Sequence, residues 1–245
     1  MNFLLLEEVD STNSYVSLHA GELDDMTMVI ADSQTAGRGQ RGNSWESERG
    51  KNLTFTLLHR PCGIEPRLQF AISEATALAV ADYLGATGIE ARVKWPNDIY
   101  VGDRRIAGIL IENSLTGSRI DSTRIGVGLN VNQREFLSDA PNPVSMWQIT
   151  GREEDISRVA ASLGAHLERR LLQAADAEGR RKLHEEFLGR LWHGDGLPHP
   201  FRRRADASEF SGVIKDVSPE GPIEITDMAT GRSESFMFKE VEFLL

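Results

Sequence analysis

The stretch TAGRGQRGNSW, residues 35 to 45, constrains the fold more than any other. Its glycines at 37, 39 and 42 spell G-x-G-x-x-G. In a dinucleotide-binding fold that pattern follows a strand and opens a helix, whose N-terminus meets the pyrophosphate. The preceding strand is present as MTMVIADSQ (26–34). The helix is missing, because NSWESERGKN is polar and has no repeating apolar face. LTFTLLH (53–59) then reads as another strand. A glycine- and arginine-rich loop therefore joins two strands. Within it and its flanks, Arg38, Arg41, Arg49 and Lys51 face only Glu46 and Glu48. The chain as a whole has a net charge of −10. A locally cationic loop on an acidic protein suits a small anionic ligand, whereas a nucleic acid needs clustered cations over a wide face.

Ordinary soluble composition supports a globular class, with 40% hydrophobic and 26% charged residues in 245. No apolar run approaches the roughly 18 residues of a membrane span. The opening MNFLLLEEVD turns acidic too early for a signal peptide. The single cysteine, Cys62, admits no internal disulfide and reads as structural, which suits a reducing cytoplasm.

FLLLEEV (3–9) reads as a strand, and DSTNSYVSLHA as a helix capped by Asp10, Ser11 or Thr12. A helix is predicted over Arg67–Leu84, ended by Gly85 and Gly88. Short strands follow: ARVKWP, DIYV, RRIAGILIEN and TRIGVGLNVN, with a hairpin turn at Gly102-Asp103. Amphipathic helices are expected over 153–172 and 178–192. Beyond the Gly/Pro-rich HGDGLPHP, three short strands alternate in SGVIKDV, GPIEITD and ESFMFKEVEFL. The expectation is an α+β body over 1–192, with a mixed and mostly antiparallel sheet, and a small β-barrel-like unit over 193–245.

Four constellations carry chemistry. In the loop, Arg38 and Arg41 offer forked donors for carboxylate or phosphate, and Trp45 offers a ring to cover a ligand or an arginine; the competing reading is a solvated turn. In KWPND, Pro96 stiffens a corner that presents Lys94 and Asn97; the competing reading is an ordinary strand–turn–strand. In RRIAGILIEN, Arg105 precedes Ala107 and Gly108, small enough to leave room for a ring or merely for close backbone packing. In GVGLNVN, Asn130 is a polar residue in an apolar run and needs a partner from the fold or from a ligand. No G-x-S-x-G, H-E-x-x-H or C-x-x-C motif occurs, and no side-chain set of metal-ligand spacing is identified. His184, His193 and His199 read as surface residues, and GRRK (179–182) and Arg202–Arg204 as solvated faces.

Taken in order, DSTN, Q-T-A-G-R-G-Q-R-G-x-x-W, G-K-N-L, KWPND, AGIL and GVGLNVN resemble the biotin protein ligase family over roughly residues 1–150, and NPVSM and FKEVEF extend the match. The resemblance implies a class II synthetase-like catalytic domain with an SH3-like C-terminal unit. It implies biotin and ATP with Mg2+ as reactants, a biotinyl-adenylate intermediate, and transfer to a lysine of a biotin carboxyl carrier protein. On the biotin side it implies Ser11, Thr12, Asn13, Gln34, Arg38, Gly39, Gln40, Arg105 and Gly108. On the ATP side it implies Arg41, Gly42, Trp45, Lys94, Asn97 and Asn130. Arg38, Lys94 and Arg105 are the residues to which it assigns catalysis. The family's usual residue at position 105 is lysine. Arginine keeps the charge on a longer planar fork, so either Arg105 serves with adjusted geometry or turnover is reduced. The ligase pattern begins at Phe3, so no DNA-binding domain and no nucleic-acid partner are expected. An exposed sheet edge would allow a homodimer. Two other readings stay open: a lipoate- or octanoate-handling relative, and a non-catalytic binder of biotin or its adenylate.

Overall fold

Two strands are apolar on both faces and therefore belong inside a sheet covered on both sides. They are β2 (Thr27–Gln34) and β3 (Leu53–His59), whose leucines, Met28, Val29 and Phe55 are buried. In the computed structural model, which describes residues 1–39, 44–61, 64–137 and 142–244, they lie within a seven-stranded sheet. The other strands are β1 (Asn2–Val9), β4 (Arg92–Lys94), β5 (Asp98–Val101), β6 (Arg104–Thr116) and β7 (Arg119–Leu129). Their order is β1-β2-β3-β7-β6-β5-β4. The mostly antiparallel expectation holds for all pairs but the first. β1 and β2 are parallel, because the helix α1 (Thr12–His19) carries the chain back across the sheet between them.

A helix that is apolar all round must be buried on all sides. α2 (Phe70–Ala86) meets that demand: it packs on β4, β5 and β6 and is covered by α4 (Ile156–Gln173) and α5 (Ala177–Gly189). It begins three residues later than its periodicity predicts, because Pro66–Leu68 forms a separate 3-10 turn. The short α3 (Met146–Thr150) carries a capping box between Ser145 and Gln148. Asp155 and Asp176 cap α4 and α5 through backbone amides.

Charged contacts pin α2 to its cover. Asp82 accepts from Arg170 Nε at 2.8 Å and from Arg190 Nη1 at 2.7 Å. Burial alone would raise this carboxyl, but the two guanidiniums hold it below its ordinary value. Glu74, 2% exposed, lies 2.7 Å from His184 Nδ1. Burial pushes the carboxyl up against the pull of the imidazole, while the hydrogen bond to Glu74 holds the imidazole up. His184 is thus no surface residue, nor are the other two histidines read so. His193 stacks between Trp192 and His199 with ring centroids 3.4 and 3.7 Å away. Burial, helped by His199, pushes its imidazole down to about 4.

The chain then builds a second sheet from β8 (His199–Arg203), β9 (Glu209–Val217), β10 (Ile223–Asp227), β11 (Ser233–Phe236) and β12 (Val241–Phe243). It is antiparallel throughout, in the order β11-β10-β9-β8-β12. The sequence pattern shows only three strands here. It misses β8, whose residues include Pro200 beside a glycine-rich stretch, and it fuses β11 with β12. Trp95 of KWPND ties the two sheets together. Its indole N–H donates to Gly221 O at 2.8 Å, and its ring packs 5.3 Å from Phe238 and 6.4 Å from Phe243.

Candidate active site

Gly108 on β6 and Gly128 on β7 are directly paired, and Gly126 lies two residues from Gly128 on the same face. Together they leave a strip of sheet with no side chains. A Cβ on Gly128 would stand 2.2 Å from Trp45 Cε2, and one on Gly108 would stand 3.0 Å from Trp45 Cζ3. The indole of Trp45 therefore lies flat enough against the sheet to require both glycines. A Cβ on Gly126 would stand 3.1 Å from Asn13 Nδ2. This strip is part of a cavity of about 720 Å³, measured with its open mouth.

The first turn of α1 forms one wall. Gln34 Oε1 accepts from Thr12 N at 2.9 Å and Thr12 Oγ1 at 3.2 Å, and Thr56 Oγ1 donates to Thr12 Oγ1 at 2.9 Å. Ser11 is the N-cap residue of α1, yet its hydroxyl makes no capping bond; it lines the cavity instead. Asn13 is 3% exposed, and neither its Oδ1 nor its Nδ2 has a hydrogen-bond partner. A buried amide with both ends unsatisfied is costly in a folded chain and points to a ligand with a matching donor and acceptor.

The described cations lining the cavity are Arg38, Arg105 and Lys239. Arg38 follows Gly37, where a Cβ would come within 2.7 Å of Trp45 O, and forms an isolated bridge with Ser44. Its Nη2 donates to Glu112 Oε1 at 3.0 Å, and Arg124 Nε lies 3.8 Å from the other oxygen of Glu112. Arg105 Nε lies 3.6 Å from Asp98 Oδ1, and its guanidinium carbon is 4.9 Å from the centre of the Trp45 ring. Burial pushes the Asp98 carboxyl up, opposed by the charges of Arg105 and Lys94.

Arg105 shares the cavity through a bulge. Ile99 pairs with Ala107 but Tyr100 pairs with Arg105, so β6 carries one extra residue at Ile106. Strict alternation would place Ala107 beside Arg105. Instead Ala107 is fully buried, and Gly108 lies beside Arg105, its would-be Cβ 3.3 Å from Nη2.

Of the residues singled out from the sequence, Ser11, Thr12, Asn13, Gln34, Arg38, Gly39, Trp45, Asn97, Arg105 and Gly108 line this one cavity. Gln40, Arg41 and Gly42, like Cys62, lie outside the described residues. Asn97 also braces the fold, its Nδ2 donating to Ile109 O at 2.7 Å. Lys94 is not among the lining residues: its ammonium donates to Tyr100 Oη at 3.0 Å and sits over the rings of Tyr100 and Trp192. Asn130 follows the end of β7, with Nδ2 bound to Val144 O at 3.0 Å and Oδ1 buried without a partner. Sequence reasoning missed Asp98, Glu112, Thr56 and Lys239. Asp98 lies inside KWPND, and Glu112 is an even number of residues from Gly108, so alternation offered a signal for both.

Cations, a glycine floor, an unsatisfied amide and one raised carboxyl equip the cavity to hold an anion that also carries hydrogen-bonding groups. A model of the biotin/lipoate A/B protein ligase family matches residues 5–130. The bifunctional ligase/repressor BirA of Escherichia coli is 37% identical over 225 residues, covering 89% of this chain and 67% of that protein. The biotin–[acetyl-CoA-carboxylase] ligase of Paracoccus denitrificans is 31% identical over 226 residues, covering 89% of this chain and 92% of that protein. The structure of a biotin protein ligase from Aquifex aeolicus in complex with biotin and ATP superposes with a TM-score of 0.79 at 23% identity, covering 98% and 97% of the two chains, and shows the shared fold. With a model match over residues 5–130 and a relative more than 30% identical along nine-tenths of its own length, the chain belongs to the biotin/lipoate A/B protein ligase family.

Proposed function

We propose that this protein is an ATP-dependent biotin–protein ligase. In the first step a carboxylate oxygen of biotin attacks the α-phosphorus of ATP, the bond to the bridging oxygen breaks and pyrophosphate leaves. In the second step a lysine amine of a biotin carboxyl carrier domain attacks the acyl carbon. The acyl–phosphate C–O bond breaks, AMP leaves and the amine loses a proton.

The observation that carries this reading is Asn13. Its buried and unpaired Oδ1 and Nδ2 match a cyclic urea, which offers N–H donors and a carbonyl acceptor. Ser11 and Thr12 extend that wall. With the urea ring held at α1, the valeryl chain runs along the glycine floor towards Arg105 and Arg38. Two anions must then approach each other, so catalysis is mostly positioning and charge neutralisation. Arg105 grips the carboxyl end, Arg38 the phosphate side, and Trp45 gives up the floor to cover the nucleotide. Lys94 acts on the α-phosphate after exchanging Tyr100, while its charge and that of Arg105 restrain Asp98. Asp98, its carboxyl raised by burial, is the acceptor placed to take the proton of the attacking amine.

Among the described residues no group of three acidic, histidine or cysteine side chains could hold a metal ion. A magnesium ion carried by nucleotide phosphates needs only one or two protein oxygens, and the unpartnered Oδ1 of Asn130 fits that need. Bound with the nucleotide, the ion supplies neutralising charge to the phosphates.

The test supplies labelled biotin, ATP-Mg2+ and a biotin carboxyl carrier domain, with lipoate as a parallel substrate. Label is expected on the carrier lysine. Asn13→Ala should raise the biotin KM roughly ten- to hundredfold, the loss of two hydrogen bonds at about 0.5–1.5 kcal/mol each. Lipoate has no urea and should be a poor substrate for the parent. Preferential lipoate transfer would place the chain with the lipoate branch, and labelled adenylate that never reaches the carrier would make it a binding protein.

A further inference from the structure

The row of β7 residues that gives the cavity its bare floor ends in a cation. Arg124 lies two residues from Gly126 on the same face, and it is directly paired across the sheet with Glu112 of β6. Glu112 divides its two oxygens between guanidiniums. Oε1 accepts from Arg38 Nη2 at 3.0 Å, and Oε2 lies 3.8 Å from Arg124 Nε. Arg124 is anchored at its other end, where Nη1 donates to Ser114 Oγ at 3.0 Å. Its side chain is 14% exposed, and its Nε is buried with no hydrogen-bond partner. Leaving a buried donor of a charged group unmade is costly. The gap to Glu112 exceeds an ordinary hydrogen bond of ~2.9 Å by about 0.9 Å, within reach of a small turn of the carboxylate. A brace between β6 and β7 would need only the bond to Ser114, so bracing leaves the orphaned Nε unexplained.

Arg38 belongs to the glycine-rich loop and lines the cavity; Arg124 is not among the lining residues. To meet a phosphate, Arg38 must give up Glu112. Its departure strands a partly buried carboxylate unless another cation answers it. Among the described residues, Arg38 and Arg124 are the cations within ion-pair distance of Glu112. We propose that Arg124 is a positioning residue for the ligase reaction, which takes over Glu112 when Arg38 moves to the nucleotide. The exchange leaves Glu112 paired throughout and gives the orphaned Nε its acceptor. Arg124 touches no substrate and acts only through Glu112 and Arg38. The proposal rests on the ligase reading and deepens it by naming what makes Arg38 available.

The test compares Arg124→Met, Arg124→Lys, Glu112→Gln and the double variant Arg124→Met/Glu112→Gln by steady-state biotinylation and thermal melting. Arg124→Met leaves Arg38 as the partner Glu112 cannot spare. It should raise the KM for ATP about tenfold, the worth of one charge-assisted contact, and leave the KM for biotin within about twofold. Arg124→Lys keeps the charge and should hold that rise below about threefold. Glu112→Gln removes the charge that competes for Arg38 and should lower the ATP KM about threefold or more. In that background, adding Arg124→Met should change the ATP KM by less than about twofold, because there is no carboxylate left to take over. A tenfold rise that persists in the Glu112→Gln background overturns the proposal, and so does an unchanged ATP KM in Arg124→Met. If Arg124→Met does not fold, Glu112→Gln decides: an ATP KM that stays level or rises overturns the proposal, and a lowered one supports it. A parent that transfers no biotin defeats the ligase reading instead.

Discussion

Gly128→Ala tests the geometry on which the candidate site depends. The new Cβ would stand 2.2, 2.5 and 2.6 Å from Cε2, Cζ2 and Nε1 of Trp45. No adjustment of a few tenths of an ångström relieves three such contacts, so the indole must leave the sheet. A half-buried tryptophan gives up about 100 Å² of apolar contact, worth about 2.5 kcal/mol at 25 cal/mol per Å². Its contact with the Arg105 guanidinium adds about 0.5–1 kcal/mol. Alanine recovers about 0.5–1 kcal/mol over glycine within a strand. The net cost is about 2–3 kcal/mol, a fall of roughly 5–10 °C in Tm for a chain of this size. The assay is urea unfolding followed by circular dichroism in a double-mutant cycle with Trp45→Ala. In the Trp45→Ala background, Gly128→Ala should be neutral or slightly stabilising. Equal costs in both backgrounds would refute the reasoning, because the glycine would then be needed for something other than the indole.

Two further substitutions probe the charges. Arg105→Ala should weaken biotin binding by about tenfold or more, the worth of a charge-assisted contact, whereas Arg105→Lys should keep it; calorimetry that finds Arg105→Ala equal to the parent would leave Arg105 only its pairing with Asp98. His184 has its pKa raised above 6.5 by its hydrogen bond to Glu74, so its stabilising effect is full below that value and is lost as pH rises through the folded one. The upward push on Glu74 acts in the same sense from its ordinary 4.5 upwards. Unfolding free energy should therefore decline as pH rises above about 6.5, and His184→Gln should flatten the decline.

Much of the site was legible because its devices are local. The glycines of GVG alternate with the pleat, and the apolar runs on either side of the glycine-rich loop form strands as their pattern predicts. Capping by Asp155 and Asp176 and the apolar stripe of α4 follow from spacing within single elements. What escaped depends on partners far apart in the chain. Glu74 meets His184 across 110 residues, which turned an apparent surface histidine into part of the helix packing. Parallel pairing of β1 with β2 is decided by the direction in which α1 returns, and no composition signals that. The bulge at Ile106 reversed the expected parity between Arg105 and its neighbours, since one unpaired residue shifts every face assignment beyond it. Lys239 had no signal, because its left-handed backbone, φ 70°, is predicted for glycine and asparagine rather than lysine.

Asn13 is left without partners, but the charged end of the site satisfies itself, and the way it does so sets the terms of binding there. Trp45 lies on the glycine floor, Glu112 holds Arg38 at 3.0 Å, and Asp98 stands 3.6 Å from Arg105. A contact that a ligand makes with these groups therefore replaces one already present, and only the difference contributes to affinity. The two arginines are unequally committed. Arg38 donates a hydrogen bond of ordinary length to a carboxylate that also faces Arg124, whereas the gap between Arg105 and Asp98 exceeds hydrogen-bond distance. A singly charged carboxylate offers Arg38 little that Glu112 does not. It does offer Arg105 a closer partner than Asp98, whose raised carboxyl is the weaker anion. On the proposed ligase reading, biotin's carboxyl end thus belongs at Arg105. Release of Arg38 from Glu112 calls for the denser charge of a phosphate. On that same reading, Arg38 and Trp45 must both exchange the partners they hold here for the nucleotide.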